Sequence, residues 1–428
     1  MPAVDALLTC RRLTLTDMAR AWPGTERVRA PLKALDRLLS NPRLHVGRES
    51  LYANMARRLL RGTHPVMVVD WSDLKADKSW CLLRAAVPIG GWTLAILDMV
   101  FTGKQQGSPG AEKHFLERLK TLVPAGMTPI LFTDAGFRNP WFRAAEAMGW
   151  YGLGRVRHRT FLTRPGTSVQ KDAWLPCRAL YALVTSRPQD LGKVEIARYR
   201  PLLARMVLYR NVPKGRKHRT RLGEIARSKA SRQAAARERE PWLIVASLLW
   251  AITPKQMIKR HARRMQIELA FRDLKSHRYG QAFEDSLTHK GARIEILLLL
   301  SAMAAFASWV AGMADDAMDM ARWLTPHGAK RKLCSVLRLG REALVRQWPI
   351  GHVTQWLEAL RSPPDHSTAP DELPVMKKRR ETSGSDAFSA RNRSGYVASF
   401  CRGNQPIVRS RLSMPPDSVS GRAVRVAY

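Results

Sequence analysis

Short apolar runs separated by polar breaks divide residues 61–158 into predicted strands and helices. The runs 65–70 (PVMVVD) and 129–134 (PILFTD) are apolar and each ends in an aspartate, which is typical of buried strands. The other predicted elements are two strands joined by a turn at Gly90-Gly91, a helix over 111–122, a helix over 139–149 and a strand over 150–158. Three strands, a helix, a strand, a helix and a strand together predict a mixed α/β sheet.

Helical periodicity prevails on both sides of this sheet. Residues 1–60 are predicted as a module of short helices, and residues 251–361 as further helices after a basic insertion over 159–250 that contains strand-like pieces. The uncharged run Ile296 to Met313 is diluted by alanine, serine and glycine, which favours a buried core helix over a membrane span. Residues 362–428 are polar and aperiodic, which predicts a disordered basic tail.

One predicted helix, residues 261–275, carries a charged and an apolar stripe side by side. The charged stripe lies within an arc of roughly 60° and consists of His261, Arg264, Glu268 and Lys275. The apolar stripe consists of Ile267, Phe271 and Leu274. A solvated amphipathic helix has this pattern, and so does a helix that presents a carboxylate between two cations to a phosphate group.

The charge balance favours a polyanionic partner. The chain of 428 residues has 72 Lys plus Arg against 35 Asp plus Glu, a formal net charge of +37. Nucleic acid is the first candidate because many dispersed cations can neutralise phosphates, with an anionic membrane surface second and a ribosome-like structural role third. In the N-terminal helical module, which is either a DNA reader or a solvated cap on the next domain, the candidate DNA contacts are Arg11, Arg12, Lys33 and Arg37.

The cysteines exclude two other classes of site. The five cysteines are scattered and show no Cys-x-x-Cys spacing, which argues against a zinc ribbon or a disulfide framework. An odd, scattered set of this kind fits a reducing compartment, and we therefore expect a cytoplasmic protein. The N-terminal sequence does not have the architecture of a signal peptide.

Three carboxylates are candidate ligands for catalytic metal ions. Asp70 and Asp134 each close an apolar strand, where a carboxylate is costly unless its charge is compensated, and Glu268 lies on the cation-flanked helix. A strand-terminal aspartate is often only a cap of the following turn. Together, however, three carboxylates can hold two Mg²⁺ ions for an in-line attack on phosphorus, with Arg264 and Lys275 neutralising or steering the phosphate.

The sequence resembles the bacterial DDE transposases of the insertion-sequence-four family, in the branch with the Tyr-Arg-Glu-Lys signature. His261, Arg264, Glu268 and Lys275 match the spacing of that signature, with histidine in place of tyrosine. VVDWSDL matches the first-Asp motif at Asp70, FTDAGFRNPWF matches the second at Asp134, and EPWLIVASL matches the segment before the signature helix.

The resemblance implies a fold, an activity and roles for individual residues. It implies an RNase H-like α/β core interrupted by a mostly β insertion, and Mg²⁺-dependent (or Mn²⁺-dependent) DNA nicking, hairpin formation and strand transfer by a synaptic homodimer. The expected partners are double-stranded DNA at the inverted-repeat ends of an element and target DNA, with neither a membrane nor a small-molecule substrate. His261 would contact phosphate beside Arg264 and Lys275, while Trp242 would stack on a flipped base and Met265 would fill the vacated space.

Two other functions remain open on the sequence. One is a catalytically inactive DNA-binding protein descended from a transposase, which would share every basic patch. The other is a general RNase H-like nuclease without strand transfer. Retention of all three carboxylates favours an active enzyme, and the basic insertion with Trp242 favours transposition. We expect the protein to be bacterial and nucleoid-associated.

Overall fold

The computed structural model describes residues 2–348 apart from 158–159, 169–170, 211–224, 226, 239, 249, 279, 318–323 and 325–333. The predicted tail over 362–428, and the end of the helical region after residue 348, lie outside the described residues.

Short helices occupy the N-terminal segment, as the apolar spacing predicts. They are α1 (Pro2–Cys10), α2 (Leu15–Arg20), α3 (Arg29–Leu39) and α4 (Pro42–Leu59). The side chain of Asn41 caps α4 by accepting a hydrogen bond from the backbone of Arg43, and a proline in the first turn fits the missing donor there. The buried side chains of Leu7, Leu35 and Leu39 belong to one apolar cluster with the central sheet. Residues 1–60 therefore pack onto the shared core of the protein.

A mixed sheet forms the centre of the fold, and it confirms the predicted RNase H-like α/β class. Its first elements are β1 (Val66–Asp73), β2 (Trp80–Pro88), β3 (Thr93–Thr102), α5 (Pro109–Leu122), β4 (Ile130–Phe132), α6 (Asn139–Ala147) and β5 (Tyr151–Val156). These strands lie in the order β3-β2-β1-β4-β5, with β1, β2 and β3 antiparallel and β1, β4 and β5 parallel. Gly90 and Gly91 adopt positive φ angles of 74° and 101° in the predicted β2–β3 turn.

The insertion continues the same sheet. It contains β6 (Phe161–Thr163), β7 (Leu175–Pro176), β8 (Gln189–Ile196), β9 (Leu202–Tyr209), α7 (Lys229–Glu238) and β10 (Trp242–Ser247). β10 pairs antiparallel with β5, and the order then runs β9-β8-β6-β7. Among the described residues, ten strands thus form one hydrogen-bonded sheet.

Helices complete the described structure. They are α8 (Pro254–Arg263), α9 (Met265–Lys275), α10 (Gly291–Ala317) and α11 (Val336–Arg346). By length and composition α10 could cross a membrane, but 78% of its most apolar window is buried inside the protein. The predicted core helix over Ile296 to Met313 is therefore confirmed. Glu295 fastens α10 to the sheet by accepting a hydrogen bond from the backbone of Val100 at 3.1 Å, and it also pairs with Arg48 on α4.

Candidate active site

The parallel register of β1 and β4 brings the two predicted aspartates together. Val68 pairs with Phe132, and Asp70 and Asp134 each follow two residues later. Continuing this register sets the two aspartates opposite each other on one face, because side chains alternate along a strand. Asp70 is 5% exposed, whereas Asp134 is half-buried in the loop after β4.

A tight turn fixes the carboxylate of Asp134. The backbone N–H of Gly136 donates a hydrogen bond to Asp134 Oδ1 at 2.6 Å. A Cβ atom at Gly136 would lie 2.9 Å from the same oxygen, closer than real Cβ contacts allow. A larger residue at 136 would therefore displace the carboxylate of Asp134. The helix α6 begins shortly after it at Asn139.

Helices α8 and α9 present Glu268 to this pair. The side chains of Thr253 and Gln256 form a capping box that starts α8. On α9 the predicted apolar stripe of Ile267, Phe271 and Leu274 is buried, while the side chain of Glu268 remains 46% exposed. Burial of that stripe against the sheet explains why Glu268 faces the two aspartates.

The predicted helix over 261–275 is divided at Arg264 into α8 and α9, but Arg264 keeps helical backbone angles and pairs with Glu268 one turn later at 3.2 Å. The backbone N–H of Arg264 bonds to the carbonyl of His261 at 3.1 Å, and that of Ile267 bonds to the carbonyl of Arg264 at 3.1 Å. These i to i−3 bonds tighten the turn between the two helices. His261 and Arg264 are 5% and 9% exposed, whereas Glu268 is exposed.

Arg264 joins two of the three carboxylates. Its Nη1 donates to Asp70 Oδ2 at 2.7 Å and to Glu268 Oε1 at 3.2 Å. Burial opposes the charge on Arg264, but Asp70, Asp134 and Glu268 outweigh burial and raise the pKa of its guanidinium. The sequence did not predict this pairing, since it assigned Arg264 to a phosphate contact.

The pKa of Asp70 is strongly perturbed. Burial raises its pKa well above the ordinary value, and the negative charges of Asp134 and Glu268 raise it further. The Arg264 guanidinium and the backbone N–H of Trp71 lower it only in part. A buried carboxylate that lies close to two others is a place where additional positive charge is stabilising.

The donor set fits a divalent cation in its chemistry. Three carboxylates supply the hard oxygen ligands that Mg²⁺ prefers, and after burial the negative charges of Asp134 and Glu268 add to the raised pKa of Asp70. As the side chains lie, however, no group of three or more His, Cys, Asp or Glu in the described part of the chain has the spacing of a metal site. Because Arg264 lies between Asp70 and Glu268, it must withdraw before both can bind the same ions.

His261 is an uncharged, buried side chain in this structure. Burial, followed by the positive charges of Arg264 and Arg155, lowers its pKa to about 3. Its ring packs edge-on against Trp242, with 5.2 Å between ring centroids. The ring of His261 therefore faces the interior and carries no charge near neutral pH, and its contact with phosphate stays a prediction.

Trp242 and Met265 occupy different environments. Trp242 begins β10, is partly buried, and packs edge-on against Tyr209 with 6.2 Å between centroids. The guanidinium of Arg155 lies 6.0 Å from the Trp242 ring centroid. Met265 begins α9 and is 40% exposed. Trp242 is thus embedded among aromatic and cationic side chains, while Met265 is open to a ligand.

The remaining predicted DNA contacts are Lys275 on α9 and four arginine or lysine residues in the N-terminal segment. Lys275 is partly buried; burial lowers its pKa, and the nearby carboxylates of Asp73, Glu284 and Glu268 offset this. In the N-terminal segment the predicted residues are all exposed, and they are Arg11, Arg12, Lys33 and Arg37. Arg11 pairs with Glu342 on α11 at 2.9 Å, and so one of its roles is to fasten the N-terminal segment to the C-terminal helices.

Glu112 is a fourth carboxylate of this region and was not among the site residues predicted from the sequence. It is buried on α5 and accepts a hydrogen bond from Trp71 Nε1 at 3.3 Å. Burial raises its pKa to about 7, and the charge of Asp134 adds to the increase. A signal exists in the sequence, because Glu112 shares helical spacing with the apolar residues Phe115 and Leu119.

The chain was compared with models of known protein families. A family model described as a transposase DDE domain matches residues 61–307. The chain belongs to the DDE transposase family. The match covers β1, β4 and α9 and extends into α10, so all three carboxylates lie inside it. No curated protein matches the chain. DDE transposases act on DNA and generally use divalent metal ions, and this chain is accordingly a transposase with DNA as its partner.

Proposed function

We propose that this DDE transposase carries out cut-and-paste transposition of an insertion sequence and belongs to the branch with the Tyr-Arg-Glu-Lys signature. The observation that carries the proposal is the arrangement of Asp70 opposite Asp134, with Glu268 linked to Asp70 through Arg264. The signature positions are filled by His261, Arg264, Glu268 and Lys275. Histidine at 261 is the one departure from that signature.

Asp70, Asp134 and Glu268 are the proposed ligands of two Mg²⁺ ions, with Mn²⁺ as a substitute. When bound, such ions activate a water or a 3′-hydroxyl and stabilise the leaving oxygen of a phosphodiester. The chain's own residues position a metal ligand and bind the phosphate. Gly136 holds the Asp134 carboxylate in place, and Arg264, displaced from Asp70, is free to bind a phosphate oxygen through its guanidinium.

Lys275 is proposed to contact the DNA backbone together with Arg264. Loss of water around its ammonium lowers the pKa of Lys275, so a phosphate that approaches it meets a cation already partly dehydrated. His261 is neutral and can act only as a hydrogen-bond partner unless the helix moves.

Hairpin formation and strand transfer are the proposed later steps. In hairpin formation Trp242 would stack on a base removed from the duplex, and the exposed Met265 would enter the space it leaves. Trp242 would need to turn one ring face towards DNA, since its edge contacts with Tyr209 and His261 occupy it at present. The proposed assembly is a homodimer that holds two element ends together in a bacterial cytoplasm, where the nucleoid supplies target DNA.

Cleavage of the protein's own element ends tests this function. The substrate is a plasmid carrying the inverted repeats that bracket the reading frame, incubated with purified full-length protein and Mg²⁺ or Mn²⁺. We expect that Asp70→Asn, Asp134→Asn and Glu268→Gln abolish cutting while binding to the ends persists. Asp77→Asn, at an exposed aspartate, and Glu117→Gln, at an exposed glutamate, are matched controls and should cut normally.

The outcomes separate the competing functions. Cutting by any of the three variants at the wild-type rate would remove that residue from the mechanism. End binding by the wild-type protein with no cutting in either metal would favour an inactive DNA-binding protein. Cutting of any DNA without joining to a target would favour a general nuclease.

A further inference from the structure

A row of charged side chains crosses the first three strands of the sheet. The antiparallel register pairs Asp70 on β1 with Arg84 on β2, and it pairs Arg84 with Asp98 on β3. Residues paired in this way point to one face of the sheet, with their Cβ atoms about 4.5–5.5 Å apart. Arg84 therefore lies between two aspartates, and one of them is a proposed metal ligand.

Arg84 is bound to the other aspartate. Its Nε and Nη2 donate hydrogen bonds to the two carboxylate oxygens of Asp98, both at 2.7 Å. The side chains of Arg84 and Asp98 are 7% and 1% exposed, so solvent screens their attraction very little. Burial opposes the charge on Arg84, but Asp98 outweighs burial and raises the pKa of the guanidinium. Arg84 is thus a charged side chain held in a fixed direction.

The Arg84–Asp98 pair lies beneath the helix that carries Glu268. The guanidinium of Arg84 is 5.5 Å from the ring centroid of Phe271, which follows Glu268 by less than one turn of α9. The pair and the three proposed metal ligands therefore share one face of the sheet.

Asp70 is an alternative partner for Arg84. An extended arginine side chain spans more than the roughly 5 Å between the Cβ atoms of paired residues, so its guanidinium can reach the carboxylate opposite. Asp70 is buried and already binds one guanidinium, because its Oδ2 accepts a hydrogen bond from Arg264 at 2.7 Å. A second guanidinium, arriving from β2, would compete with a metal ion for the same carboxylate.

We propose that Asp98 is a positioning residue of the active site, which binds both donors on one side of Arg84 and keeps that guanidinium away from Asp70. Asp98 acts through Arg84 and not by contact with metal or DNA. Asp70 then has one guanidinium to release, that of Arg264, before it can bind metal. The consequence for metal binding rests on the proposed function.

Titration of full-length protein with Mn²⁺, followed by the electron paramagnetic resonance signal of the free ion, tests the effect on metal binding. In Asp98→Asn the guanidinium of Arg84 is released, and Mn²⁺ should bind about tenfold more weakly, as happens when residues that support metal ligands are changed. The double variant Arg84→Met with Asp98→Leu has no guanidinium at this place and should bind Mn²⁺ like the wild type. Replacing a buried ion pair by apolar side chains of similar size is often neutral for stability.

A second measurement needs no metal and is made in EDTA. Asp70 and Asp98 lie two strands apart, roughly 10 Å, so their substitutions should have additive effects on the melting temperature unless Arg84 couples them. If Arg84 turns to Asp70 in Asp98→Asn, then Asp70→Asn should lower the melting temperature by a few degrees more in that variant than in the wild type. Arg264 loses its partner in both backgrounds, and this loss cancels.

Two further variants complete the design. Arg84→Lys keeps the charge but cannot form both bonds of the guanidinium. It takes the place of Asp98→Asn in both measurements if that variant does not fold, and the changes should have the same direction. Asp190→Asn is the matched control, because it frees Arg205, which donates to Asp190 at 3.2 Å between β9 and β8, beyond β10 in the sheet. It should bind Mn²⁺ like the wild type.

Additive melting temperatures in EDTA would overturn the proposal, as would wild-type affinity for Mn²⁺ in a folded Asp98→Asn protein. Weak binding of Mn²⁺ by the double variant would also overturn it, because the pair would then serve only to support the fold. The proposed function fails in a different way. Coupling in EDTA, together with Mn²⁺ binding that is absent from the wild type or unaffected by Asp70→Asn, would count against the proposed metal site alone.

Discussion

Replacing the buried His261 by phenylalanine should make the protein more resistant to acid. The folded protein keeps this imidazole neutral, with its pKa lowered from 6.5 to about 3, whereas the unfolded chain protonates it normally. Between these two values the unfolded state binds a proton that the folded state does not, so the stability contributed by the neutral ring is lost as the pH falls below 6.5.

The structure gives the size of the effect. The side chain is 5% exposed, so solvent screening is small. Each pH unit below 6.5 costs about 1.4 kcal/mol, and at pH 5 the loss relative to pH 8 is therefore about 2 kcal/mol. Phenylalanine retains an aromatic ring against Trp242 but has no site for a proton.

Urea unfolding of full-length protein at pH 8 and pH 5, at constant salt, measures this difference. The wild type should lose about 2 kcal/mol more between the two pH values than His261→Phe does. Glu112 and Asp70 act in the opposite direction, because their pKa values are raised and the stability they add is lost as the pH rises. They are present in both proteins and cancel in the comparison. His114→Phe, at an exposed histidine, is the control. Equal pH dependence in wild type and His261→Phe would refute the reasoning.

Three further predictions concern the site and its support. Gly136→Ala should slow single-turnover cutting by about tenfold or more with little change in stability, because the added Cβ displaces the carboxylate of Asp134. Cutting at the wild-type rate would contradict this prediction. Asp98→Asn should lower the free energy of unfolding, measured with urea, by about 3–5 kcal/mol. The buried Arg84 forms two 2.7 Å hydrogen bonds with Asp98 and would lose its counter-charge. Arg264→Gln should lower the melting temperature of the metal-free protein, because Asp70 loses its cationic partner. Added Mg²⁺ should then raise the melting temperature of this variant. A melting temperature that does not respond to Mg²⁺ would exclude metal binding at Asp70.

Much of the core could be predicted because its signals are local. The runs ending at Asp70 and Asp134 are short and apolar and are bounded by polar residues, which is the clearest strand pattern a sequence offers. The parallel pairing of those strands follows from the helix between them. Once both strands were identified, their terminal aspartates were expected at one edge of the sheet.

The contacts inside the site could not be predicted, because they depend on side-chain direction and on long-range neighbours. Helical spacing places Arg264 beside Glu268, as the structure shows, but nothing in the local sequence indicates that Arg264 is buried and donates to Asp70 on β1. Arg143 likewise donates to the carbonyls of Arg200 and Pro201, more than fifty residues later in the chain. Such a pairing produces no signal in the apolar and polar pattern of the sequence.

The continuity of the sheet has a consequence for shortened forms of the protein. Because β10 bonds directly to β5, deletion of the insertion would leave β5 with a row of free backbone donors and acceptors along one side. A bare strand of that kind recruits a neighbouring molecule. We therefore expect versions without the insertion to self-associate and precipitate, even though every proposed metal ligand would still be encoded.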